Sequence, residues 1–414
     1  MKEIEKYTFG VGDRFAQEGE AQLQAIVQAE KFGIKVVPVW NKSNREHKFI
    51  KSEPQSVRDE ADSAAAALGW RGGYHVDADH IGLNSVDGFI SASDFFTLDV
   101  ADFTGQPAPR AEIDRFVDEL GRYRGPLVIP GIDTGFEITD DLLRRTALKF
   151  LLATQEAGRI YRHIRERKGE DFITEVSIDE TDTPQTPVEL FLILAMIARE
   201  SIPAQTVAPK FTGRFQKGVD YFGELDQFGK EFDEDLAVIA FAIREFGLPG
   251  TLKLSVHSGS DKFSLYPIIN RLVKERGVGL HVKTCGTTWL EEIVGLAEAG
   301  GEGLQIAKEI YAMARPRYDE MVSPYSTVID IDPARLPSEA EVAGWGSSEF
   351  VAALRHDQSC KAYNPHFRQY LHISFKVAAE MGNRYRAALK EHAAVISRNV
   401  TFNLLNRHII PLFQ

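Results

Sequence analysis

Eight short runs of β-branched and apolar residues, each followed by a segment of helical period, occupy the chain from Tyr7 to Cys285 and restrict the folds open to it. The runs are Tyr7 to Gly12, Lys35 to Trp40, Gly73 to Asp77, Thr97 to Asp102, Phe172 to Asp179, Gln205 to Phe211, Thr251 to His257 and Gly279 to Cys285. Helical segments lie between them at Glu18 to Phe32, Glu53 to Leu68, Pro109 to Gly121, Asp140 to Arg167, Thr186 to Glu200, Glu234 to Phe246, Lys262 to Arg276 and Trp289 to Ala299. Parallel strands need crossovers of this kind, and eight repeats favour a closed, TIM-like (β/α)8 barrel over an open sheet. The fourth run is the weakest, and Leu127 to Ile132 competes for its place.

After Gly300 the pattern turns helical, with long amphipathic segments predicted over His366 to Lys390 and Ala393 to Arg407. The expected organisation is a barrel over residues 1–300 with a helical extension, 301–414, packed on it. With 60 acidic against 48 basic residues, the net charge of −12 argues against nucleic acid or an anionic membrane as the main partner. A small-molecule substrate is expected, and the sequence leaves room for a homo-oligomer. The first residues carry charge where a leader would be apolar, and no run reaches the roughly 18 to 20 apolar residues of a membrane span, so a cytoplasmic location is expected. Cys285 and Cys360 are too few for a disulfide framework or a thiolate zinc site and read as inert thiols.

Reactive side chains gather where the runs end. Tyr74-His-Val-Asp-Ala-Asp-His-Ile81 places His75, Asp77 and Asp79 on one strand face, and His80 can join them where the strand gives way to its loop. Leu254-Ser-Val-His-Ser-Gly-Ser-Asp-Lys262 brings His257 to the end of the seventh run. Glu175, Ser177 and Asp179 share a face of the fifth, and a carboxylate inside a barrel is costly without a cation or proton nearby. His281 and Lys283 share a face of the eighth, with His281 deep enough to fill a barrel layer instead of binding metal. The loop from Ala208 to Glu224 carries Lys210, Arg214, Lys217, Asp220 and Glu224 among glycines and aromatics, a composition suited to a carboxylate or phosphate. Asn41 to His47, with Lys42, follows the second run and could contact substrate hydroxyls. Phe9-Gly-Val-Gly-Asp-Arg14 lacks the GxGxxG spacing of a dinucleotide fold, so no nicotinamide cofactor is expected.

Taken in order, these motifs resemble the tagaturonate/fructuronate epimerase family of hexuronate catabolism. The resemblance rests on Phe9-Gly-Val-Gly-Asp-Arg-Phe15, Lys42-Ser-Asn-Arg-Glu-His47, His75 to Ile81, Pro209-Lys-Phe-Thr-Gly-Arg-Phe215, Leu254 to Lys262 and Asn364-Pro-His-Phe-Arg-Gln369, and it spans most of the chain. It implies a metal-dependent interconversion of D-tagaturonate and D-fructuronate, epimers at C4, with relatives acting on tagatose and fructose.

The hydrogen on C4 is β to the C2 ketone and is not acidified directly, so retro-aldol cleavage of the C3–C4 bond is the expected route. A base takes the C4 hydroxyl proton, a metal steadies the enediolate, and the aldehyde rotates before recombining. Placed by chemistry, His80 and His257 bind a divalent cation (zinc, manganese, nickel or cobalt) with a carboxylate, Asp220 being favoured over Glu224 or His281. Asp79 and Glu175 form the acid/base pair, while Lys42, Lys210, Arg214, Lys262 and Lys283 are candidates for binding the substrate. A metal-dependent ketose isomerase or aldolase would share this machinery, and a sugar-acid binding protein would need no acid/base pair.

Overall fold

The computed structural model describes residues 2–179, 181–284 and 286–414. Eight parallel strands close into a barrel: β1 (Tyr7–Val11), β2 (Val37–Ser43), β3 (His75–Ile81), β4 (Phe95–Asp99), β7 (Ile173–Ser177), β8 (Thr206–Ala208), β9 (Lys253–Val256) and β10 (Leu280–Thr284). The remaining two, β5 (Gly125–Leu127) and β6 (Phe136–Ile138), pair antiparallel in a separate hairpin between β4 and β7. The fourth barrel position therefore belongs to the run beginning at Phe95, and the competing segment near Leu127 is part of that hairpin. Cys285, predicted to end the last strand, lies outside the described residues.

The crossovers are α1 (Gly19–Glu30), α2 (Asn44–Ile50), α3 (Gln55–Ala67), α4 (Arg110–Glu119), α5 (Asp140–Lys168), α6 (Pro187–Arg199), α7 (Leu225–Phe246), α8 (Tyr266–Arg276) and α9 (Thr287–Ala299). Local chemistry starts several of them. Ser43 and Thr186 form capping boxes with Glu46 and Glu189, satisfying backbone donors that the first helical turn leaves unpaired. Asn41 to His47, expected to follow the second strand, is thus the end of β2 and most of α2. Similarly, α7 begins nine residues before the predicted Glu234, because the buried Phe228 and Phe232 extend its apolar face.

Beyond Gly300 the structure is helical: α10 (Gly301–Ala314), α11 (Tyr318–Val322), α12 (Glu339–Gly344), α13 (Ser347–Leu354), α14 (Pro365–Ile373), α15 (Phe375–Glu380), α16 (Asn383–Glu391), α17 (Ala393–Phe402) and α18 (Ile410–Phe413), with a π-helical turn over Asn403–Ile409. The single helix predicted over His366 to Lys390 is three, broken at Ser374 and at Gly382, whose φ of 59° only glycine adopts freely. These helices pack on α9 and α1 and reach over the carboxyl end of the barrel.

Ile4, Val39, Phe95 and Ile173 plug the amino-terminal end of the barrel. Above them His281 is buried against Phe95, its Nδ1 2.8 Å from Thr8 Oγ1, so it fills an interior layer. Burial, with the Lys283 charge adding to it, pushes that imidazole down to about 3. The next layers are polar, and their exposed rim is the carboxyl end, where enzymes of this fold carry their chemistry.

Candidate active site

A distortion in β3 brings two neighbouring side chains to the same place. Its register against β4 shifts between Ala78 and Ile81, and His80 adopts a φ of 52°, a left-handed conformation unusual for any residue with a Cβ. A bulge of this kind re-aims a side chain, so Asp79 and His80 both face the mouth where a regular strand would hide one of them. On the opposite wall, β9 ends at Val256 and delivers His257, whose ring centroid lies 5.1 Å from that of His80. Asp179, just past β7, completes the group: the ligand atoms of His80, Asp179 and His257 all lie within 4.8 Å of one another.

This set fits a divalent cation. Nδ1 of His80 and Nδ1 of His257 are both buried without a hydrogen-bond partner among the described residues, and two imidazoles with one carboxylate suit zinc or a similar transition metal. His257 Nδ1 sits 3.2 Å from Asp179 Oδ1, and His80 Nδ1 3.7 Å from Asp99 Oδ2. The surrounding carboxylates draw positive charge to this spot. Burial opposes protonation of His257, but Asp179 and Glu175 override it and hold the imidazole up at about 9. In the same way Asp79 and Asp99 keep His80 well above its ordinary value despite burial.

Below this group, Lys283 crosses the interior from β10. Its Nζ lies 2.7 Å from Asp77, 2.8 Å from Asp79 and 2.9 Å from Glu175, with 2% of the side chain exposed. The crossing needs room: a Cβ at Gly10 would come within 3.0 Å of the Lys283 Cα. Burial raises all three carboxyls, and the ammonium works against it. Asp79, helped by His80 and His257, falls to about 2 and Glu175 well below its usual range, while Asp77, repelled by the other two, stays up at about 7. Lys283 is therefore the counter-ion of the barrel interior and has no free charge for a substrate.

The other predicted residues are placed as follows. Asp220 is not beside the imidazoles; its carboxylate accepts from the backbone N–H and hydroxyl of Ser264 and fastens the 208–224 loop to the entrance of α8. Glu224 stands exposed just ahead of α7. Lys262 Nζ is enclosed by the carbonyls of Gln216, Val219 and Ser260. Lys210 donates to the carbonyl of Thr181, and Arg214 pairs at 3.1 Å with Asp330 on an open surface. Lys42 points away from the barrel axis, where Glu60 and His47 feel its charge. None of the five predicted cations is unpartnered in the mouth.

The carboxylates beside the imidazoles are Asp179 and Asp99, where the sequence favours Asp220. Their signal was present: Asp179 repeats at period two after Glu175 and Ser177, and Asp99 ends β4 two residues after the inward Thr97. Of the remaining motifs, Asp13 accepts four backbone N–H groups, those of Phe15, Ala16, Gln17 and Glu18, and so shapes the turn into α1. Arg14 ties Glu46 to the carbonyl of His372. Asn364 caps α14. The turn after His257 contains two further left-handed residues, Ser258 (φ 49°) and Asp261 (φ 63°). The C-terminal helices hold it: Arg368 donates to Asp261 at 3.1 Å, His356 lies 3.3 Å away, and His408 Nε2 accepts the Asp261 N–H at 3.1 Å.

Comparison with known proteins agrees with this architecture. A tagaturonate/fructuronate epimerase of Thermotoga maritima is 28% identical over 381 residues, covering 89% of this chain and 72% of its own. Two glycerol-complexed crystal structures of the fructuronate-tagaturonate epimerase of Cohnella laeviribosi superpose with TM-scores of 0.79 and 0.82. They cover 98% and 100% of this chain and 82% of the other, at 24% and 23% identity, a likeness of fold. The tagaturonate epimerase family profile matches residues 1–401, and the chain, an isomerase, belongs to that family.

Proposed function

We propose that this protein interconverts D-tagaturonate and D-fructuronate by inversion at C4, using a divalent cation held by His80, Asp179 and His257. The observation that carries the reading is the convergence of those three side chains beside Asp79 in the mouth of a barrel of this family. When bound, the cation supplies a Lewis acid beside the oxygens of the sugar. The protein's own groups do the rest. Asp79, held by Lys283 at 2.8 Å and 3.8 Å from His80 Nε2, takes the proton of the C4 hydroxyl. The C3–C4 bond then breaks, its electrons pass into the C2–C3 enediolate, and C4 becomes an aldehyde. After rotation the enediolate attacks the other face of the aldehyde, and Asp79 returns the proton to the C4 oxygen.

The test is an NMR assay of purified protein with each hexuronate, before and after exhaustive chelation. Interconversion should vanish on chelation and return with zinc, manganese, nickel or cobalt. Activity that survives removal of all metal would end the metal assignment, and three-carbon fragments accumulating without epimer would make the protein an aldolase.

Arg214→Ala tests the charged loop. Because half of the Arg214 side chain is exposed and it pairs with an equally open Asp330, the pair is worth about 0 to 1 kcal/mol. We expect kcat/KM to change by less than about threefold, to the same extent on tagaturonate and on tagatose. A loss confined to tagaturonate would return Arg214 to the substrate's carboxylate.

A further inference from the structure

Resting on the metal reading above, we propose that Glu175 is a positioning residue that selects Nδ1 of His257 as its metal-binding atom, and is not one of the two acid/base groups. Glu175 is fully buried and both of its oxygens are occupied. Oε1 lies 2.7 Å from His257 Nε2, 2.9 Å from Lys283 Nζ and 3.2 Å from Thr97 Oγ1, and Oε2 accepts from Thr206 Oγ1 at 2.8 Å. An oxygen that already receives an ammonium proton is an acceptor, so the contact with His257 is an Nε2–H donating to Glu175. A metal displaces the second proton of His257, and the neutral imidazole that remains carries one. With it fixed on Nε2, the lone pair is on Nδ1, the atom that faces Asp179 at 3.2 Å and has no hydrogen-bond partner among the described residues.

A metal-bound histidine ordinarily gives its second N–H to a carboxylate, which settles the tautomer and the tilt of the ring. Here that carboxylate is itself anchored by β10, through Lys283, and by β8, through Thr206. The same bonds leave Glu175 no free oxygen for a substrate proton, and His257 stands between it and the mouth.

Glu175→Gln keeps the shape and removes the charge. Titration of the metal-free protein with cobalt(II), followed by the visible spectrum, should show affinity about 10- to 100-fold weaker than wild type, with a shifted absorption band. At saturating cobalt, kcat should stay within about tenfold of wild type. Thr206→Val, which removes only the donor to Oε2, should weaken cobalt binding in the same direction by less, and it keeps the test open should Glu175→Gln fail to fold. Wild-type cobalt affinity and spectrum in Glu175→Gln, joined to a kcat loss of about a thousandfold, would overturn the proposal and make Glu175 an acid/base residue. Undiminished cobalt affinity in His80→Ala and Asp179→Asn would instead overturn the metal site itself.

Discussion

Asp79→Asn should lower kcat by about 10²- to 10⁴-fold, the usual worth of a positioned proton acceptor, while cobalt still binds and the fold survives. Asparagine has the size of aspartate and can still accept from Lys283 through its amide oxygen, so the lattice beneath the mouth keeps its form. What it cannot do is take a hydroxyl proton. Substrate binding and proton transfer then separate: the variant should bind a hexuronate with near-normal affinity by calorimetry and turn it over slowly. Retention of more than a tenth of wild-type kcat would move the base elsewhere, and Asp99 at the end of β4, 3.7 Å from His80, would be examined first.

Lys283→Met should cost the protein about 3 to 5 kcal/mol at neutral pH, because it strips the counter-ion from three buried carboxyls. The pH dependence identifies the cause. In the wild type, Asp79 and Glu175 titrate below their unfolded values of about 4, so the stability they lend is present above that pH and is lost as pH falls through their folded values. Without the ammonium, burial and mutual repulsion lift the same carboxyls above those values. They then contribute only at low pH, where they are protonated, and lose that contribution as pH rises. Urea midpoints should therefore differ more between variant and wild type at pH 8 than at pH 5.5. A deficit equal at both would show that Lys283 matters for its packing and not for its charge.

Much of this could be read along the chain, for reasons that differ element by element. Barrel strands are buried on both faces, so they stand out as apolar runs, and the polar residues that interrupt them near their ends mark the mouth; Asp79, His80 and His257 are found on that signal. The short helix after β2 went unread although Ser43 and Glu46 spell its capping box, because seven residues are too few to show a period. Pattern failed most for the cations. Lys42, Lys210, Arg214, Lys262 and Lys283 each have the right charge, but what decides their use is the group that reaches them from another part of the chain. The carbonyls of Gln216 and Val219 reach Lys262 from more than forty residues away, and the carboxylates around Lys283 come from β3 and β7. Asp220 misled in the same way, since its neighbours on the loop suggest a pocket and only the fold shows it fastened to Ser264.

The clasp on the turn after His257 has a consequence for how the protein comes into being. The turn holds two left-handed residues, and the groups that retain Asp261 come from residues 356, 368 and 408. During synthesis the eighth strand leaves the ribosome more than a hundred residues before His408 does. For all that interval the nascent barrel can close its sheet but cannot set the frame of its own histidine. The mouth is thus completed by segments made well after the strands, and the turn that carries His257 has its full support only once residue 408 has been made.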